Sequence, residues 1–155
     1  MALRTIVQFG EDILRKKCRP VTDFDSRLHT LLDDMAETMK SANGAGLAAP
    51  QVGVLRRAVV IDVRDEKGLI ELVNPEILSE EGTQCGGEGC LSSPASWCEV
   101  ERPAKVTVKA LDRNGAEFTI TGEGMLARAL CHEIDHLDGI LFTDKAKPAE
   151  EQPNS

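Results

Sequence analysis

The longest amphipathic segment lies near the N-terminus, in the stretch DFDSRLHTLLDDMAETMKSANG. Its apolar residues recur at the i, i+3, i+4, i+7 spacing of one helix face, which predicts a helix with one buried side. Asp25 is placed to cap the first turn, and Asn43-Gly44 is a good stop signal. His29 lies in the first turns, where we expect a surface or half-buried histidine. The predicted buried face comprises Leu28, Leu31, Leu32, Met35 and Met39.

The next part of the chain contains runs that are typical of strands, separated by small residues. RAVVIDV, residues 57–63, is β-branched and predicts one strand. ELVNPEIL predicts another extended segment, in which Pro75 implies an edge or a bend because proline cannot donate to a ladder. TQCGGEGCLSSPASW is rich in glycine and serine, so we predict a loop there.

A clean alternation follows in AKVTVKALD, and it predicts a strand that buries Val106, Val108 and Ala110 on one face. Asn114-Gly115 is a strong hairpin signal, and EFTITGE is the expected returning strand.

MLARALCHEIDHLDG, which follows Gly124, predicts a second helix. The positions that mark this helix are Leu126, Ala129, Leu130, Glu133 and Leu137. The predicted fold class is therefore α+β: mainly antiparallel strands packed around this late helix, with the earlier amphipathic helix alongside.

The length of 155 residues and a hydrophobic share of 41% fit one domain with one core. We predict a single catalytic domain over residues 1–145. Residues 146–155 are polar and interrupted by proline, so we expect a disordered tail.

The net charge, the apolar runs and the number of cysteines each argue against a class of protein. Acidic residues outnumber basic ones by 26 to 18, for a net charge of −8, which argues against direct nucleic-acid binding. No apolar run approaches the length of a membrane span, and the N-terminus lacks the apolar core of a secretory signal. The five cysteines are an odd number, which favours reduced thiols in a cytoplasm over a disulfide framework.

The second predicted helix carries the pattern His-Glu-x-x-His. Residues four apart share a helix face, so His132 and His136 are expected to point at the same spot and to hold one metal ion. Glu133 beside them is a candidate general base. A catalytic metal of this kind usually has three protein ligands and a water, so a third ligand is required.

The third ligand has few candidates. The downstream histidine position of one zinc family holds Phe142, Asp138 lies on a different helix face, and later glutamates fall in the tail. Cys90, in the segment EGCLS, is the strongest upstream candidate because a thiolate binds divalent zinc or iron well. Cys85, five residues earlier, is its nearest rival.

Three segments, GAGLAAPQ, EGCLS and HEIDH, resemble in sequence and order the three signature motifs of the peptide deformylases. These enzymes remove the formyl group from the initiator methionine of new bacterial and organellar proteins. The resemblance implies that Cys90, His132 and His136 bind the metal and that Glu133 is the catalytic acid and base. It further implies that the Gln51 amide and the Leu91 N–H stabilise the oxyanion.

The resemblance also implies a cofactor and a substrate. The cofactor is one divalent ion per chain, natively Fe²⁺, with Zn²⁺, Ni²⁺ or Co²⁺ as substitutes. The substrate is the N-formylmethionyl end of a nascent peptide, with its unbranched side chain in a pocket beside the metal. The residues expected at this substrate site are Gly44, Ala45, Gly46, Glu88, Gly89, Trp97 and Ala129.

Two features depart from the commonest pattern of that family. Trp97 stands where many relatives carry a basic or smaller residue, so it either covers the surface or lines the substrate site. The tail is short, which weakens the expectation of a transient contact with the ribosome. A different metal-dependent amidase or peptidase on the same site is the alternative function, and organellar or viral origin stays open beside a bacterial cytoplasm.

Overall fold

The computed structural model describes residues 2–146. Two α-helices and seven β-strands form the framework of this region, together with short 3₁₀ helices at Asp12–Arg15, Ala49–Val52 and Phe142–Lys145. The helices are α1 (Ser26–Ser41) and α2 (Gly124–Leu137). The strands are β1 (Gly46–Ala48), β2 (Ala58–Ile61), β3 (Ile70–Glu81), β4 (Gln84–Cys90), β5 (Ser93–Arg102), β6 (Lys105–Leu111) and β7 (Glu117–Glu123).

The strands form two antiparallel sheets. Five of them pair in the order β1-β2-β3-β6-β7, and β4 and β5 pair with each other as a separate two-stranded sheet. This arrangement, with α2 late in the chain and α1 alongside, confirms the α+β architecture predicted from the sequence.

The two helices cover opposite faces of the larger sheet. Successive side chains of a strand point to opposite faces, and every residue of β2 is buried. Val59 and Ile61 belong to the apolar cluster that includes α2, whereas Ala58 and Val60 belong to the cluster that includes α1. The sheet is therefore the central layer, and α2 is held on one side of it by continuous apolar contact.

The helix α1 begins and packs as its pattern predicts. The Asp25 carboxylate accepts a hydrogen bond from the Leu28 N–H at 3.2 Å, and all five residues of the predicted apolar face are buried. His29 is half-buried, and its Nε2 lies 2.8 Å from the Arg113 carbonyl oxygen, so the expectation for it is also confirmed.

The alternating segment and its hairpin are also found as predicted. Val106, Val108 and Ala110 of β6 are buried on one face, and the turn at Asn114-Gly115 leads into β7.

The segment predicted as a loop is instead the two-stranded sheet. Gln84 pairs with Arg102 and Glu88 pairs with Cys98, so β4 and β5 run beside each other as paired strands, with a register shift between Glu88 and Cys90. The prediction was wrong because glycine and serine lower the local strand signal, while pairing with a distant partner supplies the hydrogen bonds that local sequence does not report.

Pro75 lies in β3, the central strand of the larger sheet, so the edge-strand interpretation was wrong, and the structure shows a register irregularity where a bend was the other expectation. The pairing of β2 with β3 ends at Val73, and the β3–β6 register shifts between Val73 and Glu76. Pro75 therefore interrupts no regular hydrogen-bond ladder with either neighbouring strand, β2 or β6. The short strand β1 was not predicted.

Among residues 2–146, no helix is long and apolar enough to cross a membrane. Most of the predicted disordered tail, residues 147–155, lies outside the described residues.

Candidate active site

A cleft of about 400 Å³ lies between β1, β4 and the exposed side of α2. It brings together segments that are far apart in sequence, and twelve of the thirteen site residues predicted from the sequence line it. His136 is the exception, since it lies behind His132 and is 1% exposed. The twelve are Gly44, Ala45, Gly46, Gln51, Glu88, Gly89, Cys90, Leu91, Trp97, Ala129, His132 and Glu133.

Three ligand-type side chains meet at the base of this cleft. Cys90 ends β4, and His132 and His136 lie on successive turns of α2. Their ligand atoms all lie within 4.8 Å of one another, and Cys90 Sγ is 3.4 Å from His136 Nε2. A thiolate and two imidazoles are ligands that zinc and iron accept, so the donor set fits a divalent ion.

Within residues 2–146 no other cysteine belongs to this ligand cluster, although Cys98 packs against the apolar cluster that contains Cys90. Cys85 is exposed, and Cys131 packs in the apolar cluster between α2 and the sheet. Burial raises the pKa of the Cys18 and Cys131 thiols to about 11, which keeps them protonated at neutral pH.

Glu88 connects the cluster to a buried charge network that sequence reasoning missed. Its carboxylate accepts hydrogen bonds from Arg102 at 3.0 and 2.6 Å and from Arg128 at 2.9 Å, and it lies 2.7 Å from His132 Nδ1. Arg102 also donates to Asp135 at 2.7 Å. Glu88 therefore orients the His132 ring through Nδ1, which leaves Nε2 on the side of Glu133, 3.9 Å from Glu133 Oε2. The sequence offered no signal for this network, because its members lie on three different elements.

Burial and charge act in opposite directions on the groups of this network. Burial by itself would raise the pKa of Glu88, but hydrogen bonds from His132 and Arg102 lower it to about 2, so the carboxylate stays ionised. Burial and the neighbouring His132 lower the pKa of His136 to about 3, so its imidazole is neutral.

At His132 the balance is reversed. Burial would lower its pKa, but the negative charge of Glu133 and hydrogen bonds to Cys90 and Glu88 raise it to about 10. The negative groups around this ring therefore stabilise positive charge here, and a metal ion bound to the neutral imidazole would supply that charge in place of the proton.

Glu133 lies close to the wall of the cleft formed by β1. A Cβ added at Gly46 would lie 2.6 Å from Glu133 Oε2, so only glycine leaves room for the carboxylate there. Glu133 Oε1 is buried and has no hydrogen-bond partner among the described residues. Burial raises the pKa of Glu133 to about 7, which suits proton transfer near neutral pH.

Gln51 is held in place from both ends of its amide. Its Oε1 accepts a hydrogen bond from the Ala48 N–H at 2.9 Å, and its Nε2 donates to Ser92 Oγ at 3.1 Å and lies 3.5 Å from Cys90 Sγ. Ser92, which sequence reasoning did not single out, is fully buried and fixes the amide beside the thiol.

Leu91 and Trp97 form the outer part of the cleft. The Leu91 side chain lies over Gly44, where an added Cβ would be 2.5 Å from Leu91 Cδ1. Trp97 is 74% exposed and stands at the rim with Met125, which is 60% exposed.

A thiol and two histidines beside a buried glutamate, in a cleft of this α+β fold, are the arrangement of a metal-dependent hydrolase. The polypeptide deformylase family model matches residues 3–152. The peptide deformylase of Caldicellulosiruptor bescii is 65% identical over 94% of this chain and 86% of its own length. That of Thermoanaerobacter pseudethanolicus is 60% identical over 94% of this chain and 91% of its own.

Solved structures agree with these relatives. A crystal structure of a peptide deformylase from Legionella pneumophila matches with a TM-score of 0.90 and 52% identity, over 94% of this chain and 87% of that one. The peptide deformylase of Thermotoga maritima matches with a TM-score of 0.91 and 41% identity, over 94% and 99%. The chain belongs to the peptide deformylase family.

The buried charge network predicts a large loss of stability when one partner is removed. Arg102→Met should lower the free energy of unfolding by about 3 kcal/mol, because it removes the cation that the buried Glu88 shares with the half-buried Asp135. Urea unfolding measures this difference. Lys109→Met is the control, since Lys109 is 41% exposed and its ion pairs are 3.8 and 4.0 Å long, and it should cost less than about 1 kcal/mol. Equal small losses in both variants would contradict the importance of the network.

Proposed function

We propose that Cys90, His132 and His136 hold the divalent metal ion with which this enzyme removes the formyl group from formyl-methionyl peptides. The observation that carries the proposal is the convergence of these three ligand atoms within 4.8 Å, at the base of a cleft that Glu133 also lines. Three protein ligands with a fourth position open are typical of a catalytic metal site. Fe²⁺ is the proposed native ion, and Zn²⁺, Ni²⁺ and Co²⁺ accept the same ligands.

Glu133 is proposed to move the protons of the reaction. When bound, the ion acts as a Lewis acid and lowers the pKa of water so that it attacks near neutral pH. Glu133 accepts the proton from this water and then donates it to the leaving amine. Support comes from its buried, unpartnered Oε1 and from its Oε2, which lies 3.9 Å from His132 Nε2.

Gln51 and the Leu91 N–H are proposed to stabilise the negative charge that develops on the formyl oxygen. One such donor contributes about 3 kcal/mol in comparable sites. The Gln51 amide is already oriented by Ala48 and Ser92, so little reorganisation is required when the charge appears.

The substrate side chain is proposed to occupy the part of the cleft beside His132. The small residues of the cleft leave space for a side chain there, and Leu91 supplies apolar surface. An unbranched methionine side chain requires both. Glu88 contributes to the wall, but its oxygens accept hydrogen bonds from Arg102 and Arg128. We therefore propose that Glu88 also orients the His132 ring. The small residues are Gly44, Ala45, Gly46, Gly89 and Ala129.

Nascent peptides are the proposed partners. Because these peptides are made during translation, we propose that the enzyme acts in the compartment where translation takes place. A transient ribosome contact would raise the local concentration of substrate. We propose no direct nucleic-acid contact, since the net charge of −8 repels phosphate.

The reaction itself is tested with matched peptides. Formyl-Met-Ala-Ser should be deformylated, whereas acetyl-Met-Ala-Ser should be inert because Gly46 and Glu133 leave little room for an extra methyl group. Release of formate or acetate measures the difference. Equal rates would favour a general amidase, and cleavage at an internal peptide bond would favour a peptidase.

The role of Glu133 is tested by Glu133→Gln, which keeps the size of the side chain and removes its basicity. We expect a metal content near that of the wild type and a loss of kcat of about 100-fold or more. Asp138→Asn is the control, because Asp138 ends the same helix and pairs with Arg57 outside the cleft. Near-normal turnover by Glu133→Gln would rule out the proposed proton transfer.

The choice of sulfur is tested by replacing each cysteine with alanine. Cys90→Ala should lose metal and activity, because it removes the thiolate from the cluster. The other four variants should keep about one metal per chain, with a packing cost of about 1 kcal/mol at most. Metal analysis of protein purified without oxygen gives the result. If Cys85→Ala loses its metal and Cys90→Ala keeps it, the ligand assignment is wrong. The four other cysteines are Cys18, Cys85, Cys98 and Cys131.

A further inference from the structure

A second cavity, of about 450 Å³, lies where the chain that leads into α1 runs beside the segment that follows the 3₁₀ helix Ala49–Val52. It shares no lining residue with the cleft that contains the candidate metal ligands. Positive side chains outnumber negative ones in its wall, although the whole chain carries a net charge of −8. The charged residues of this wall are Arg19, Asp23, Asp25, Arg27 and Arg56.

The backbone holds two of these arginines side by side. Arg19 and Arg56 are partners in a parallel β-bridge, in which the Arg19 N–H donates to the Leu55 carbonyl at 3.1 Å and the Arg19 carbonyl accepts from the Arg57 N–H at 3.0 Å. Paired residues of neighbouring strands project to the same side, so both side chains start from adjacent positions at the cavity. Like charges in such positions repel each other, so this pairing is unfavourable unless an anion lies between them.

The protein itself supplies no such anion. Among residues 2–146, Arg19, Arg27 and Arg56 form no ion pair and no side-chain hydrogen bond, whereas six other arginines each pair with a carboxylate. Asp25 lines the cavity, but its carboxylate accepts the Leu28 N–H and caps α1. Asp23 forms no ion pair with any described residue either.

The arrangement of the three guanidinium groups suits a phosphate better than a carboxylate. Arg19 and Arg56 reach the cavity from the β-bridge, and Arg27 reaches it from the first turn of α1. The oxygens of a carboxylate lie in one plane, whereas those of a phosphate point to the corners of a tetrahedron. One phosphate can therefore accept charge-assisted hydrogen bonds from several directions at once.

We infer that Arg19, Arg27 and Arg56 form a binding site for a phosphate group, either as free phosphate or as part of a small phosphorylated molecule. The volume of the cavity is within the range of small-molecule sites, and Pro20 and Val54 add apolar surface to it. A nucleic acid is not the expected source, because a polyanion would also meet the acidic surface of the rest of the chain. The inference is independent of the proposed deformylase reaction.

The inference is tested by calorimetric titration of the zinc-loaded protein with inorganic phosphate, ADP and succinate. Phosphate or ADP should bind at about one site per chain, and succinate should bind about tenfold more weakly or not at all. Tighter binding of ADP identifies a phosphorylated molecule as the source, and equal binding identifies free phosphate. If neither binds, or if succinate binds as tightly as both, the inference is overturned.

Single substitutions assign the binding to the cavity. Arg19→Gln and Arg56→Gln should each weaken phosphate or ADP binding by about tenfold or more, because each removes charge-assisted hydrogen bonds. Arg64→Gln is the matched control, since Arg64 is an exposed arginine outside the cavity that also forms no ion pair among the described residues. It should bind as the wild type does, and equal weakening in all three variants would indicate a general charge effect and overturn the site.

Thermal unfolding separates ligand binding from a merely structural role. Phosphate or ADP should raise the Tm of the wild type, and Arg56→Gln should lose this increase because the ligand no longer favours the folded state. Without ligand, Arg56→Gln should unfold at the same temperature as the wild type or higher, since it relieves the repulsion from Arg19. A lower Tm together with an unchanged ligand-dependent increase would mean that Arg56 only supports the fold.

Two-dimensional NMR of the ¹⁵N-labelled, zinc-loaded protein locates the ligand directly. The signals of Arg19, Thr22 and Arg56 should shift on addition of phosphate or ADP, and those of Gln51 and His132 should not. Shifts confined to Gln51 and His132 would place the anion at the metal site and overturn the inference. The rate of deformylation of formyl-Met-Ala-Ser by Arg56→Gln should equal that of the wild type, so the failure of either proposal is recognisable without the other.

Discussion

The carboxylate of Glu88 is the interaction on which the rest of the site depends. It is 4% exposed, and it joins β4 to Arg102 of β5 and to Arg128 and His132 of α2. A buried carboxylate is costly unless it is paired and hydrogen-bonded, and here the contacts that offset this cost also hold the small sheet against the helix. The position of Cys90 relative to the histidines follows from that attachment.

The cleft is narrow because glycines, which have no side chain, form several parts of its walls. Gly46 lets β1 approach Glu133, Gly44 lets Leu91 cover the cleft, and Gly87 lets the indole of Trp97 rest on β4. Each close approach excludes even a methyl group. The groups proposed to react are thereby held close together, and since His132 and Glu133 are 6% and 5% exposed, charges interact strongly there.

The helix α2 serves the core and the site at the same time. Leu130 and Cys131 pack against the larger sheet, while Ala129, His132 and Glu133 face the cleft. The side chains proposed to react are consequently attached to an element that cannot move without disrupting the core. Rigid support of this kind keeps ligand atoms at their productive distances.

The sequence by itself determined the features that depend on local spacing. The i, i+4 pattern was sufficient to place His132 and His136 on one helix face, and motif resemblance pointed to Cys90 as their partner. Only the tertiary structure decided that the segment of Cys90 is a strand and that Arg102 neutralises Glu88, a residue 14 positions earlier in the chain. Strand pairing and buried ion pairs form between residues distant in sequence, so no local pattern specifies which partner is chosen.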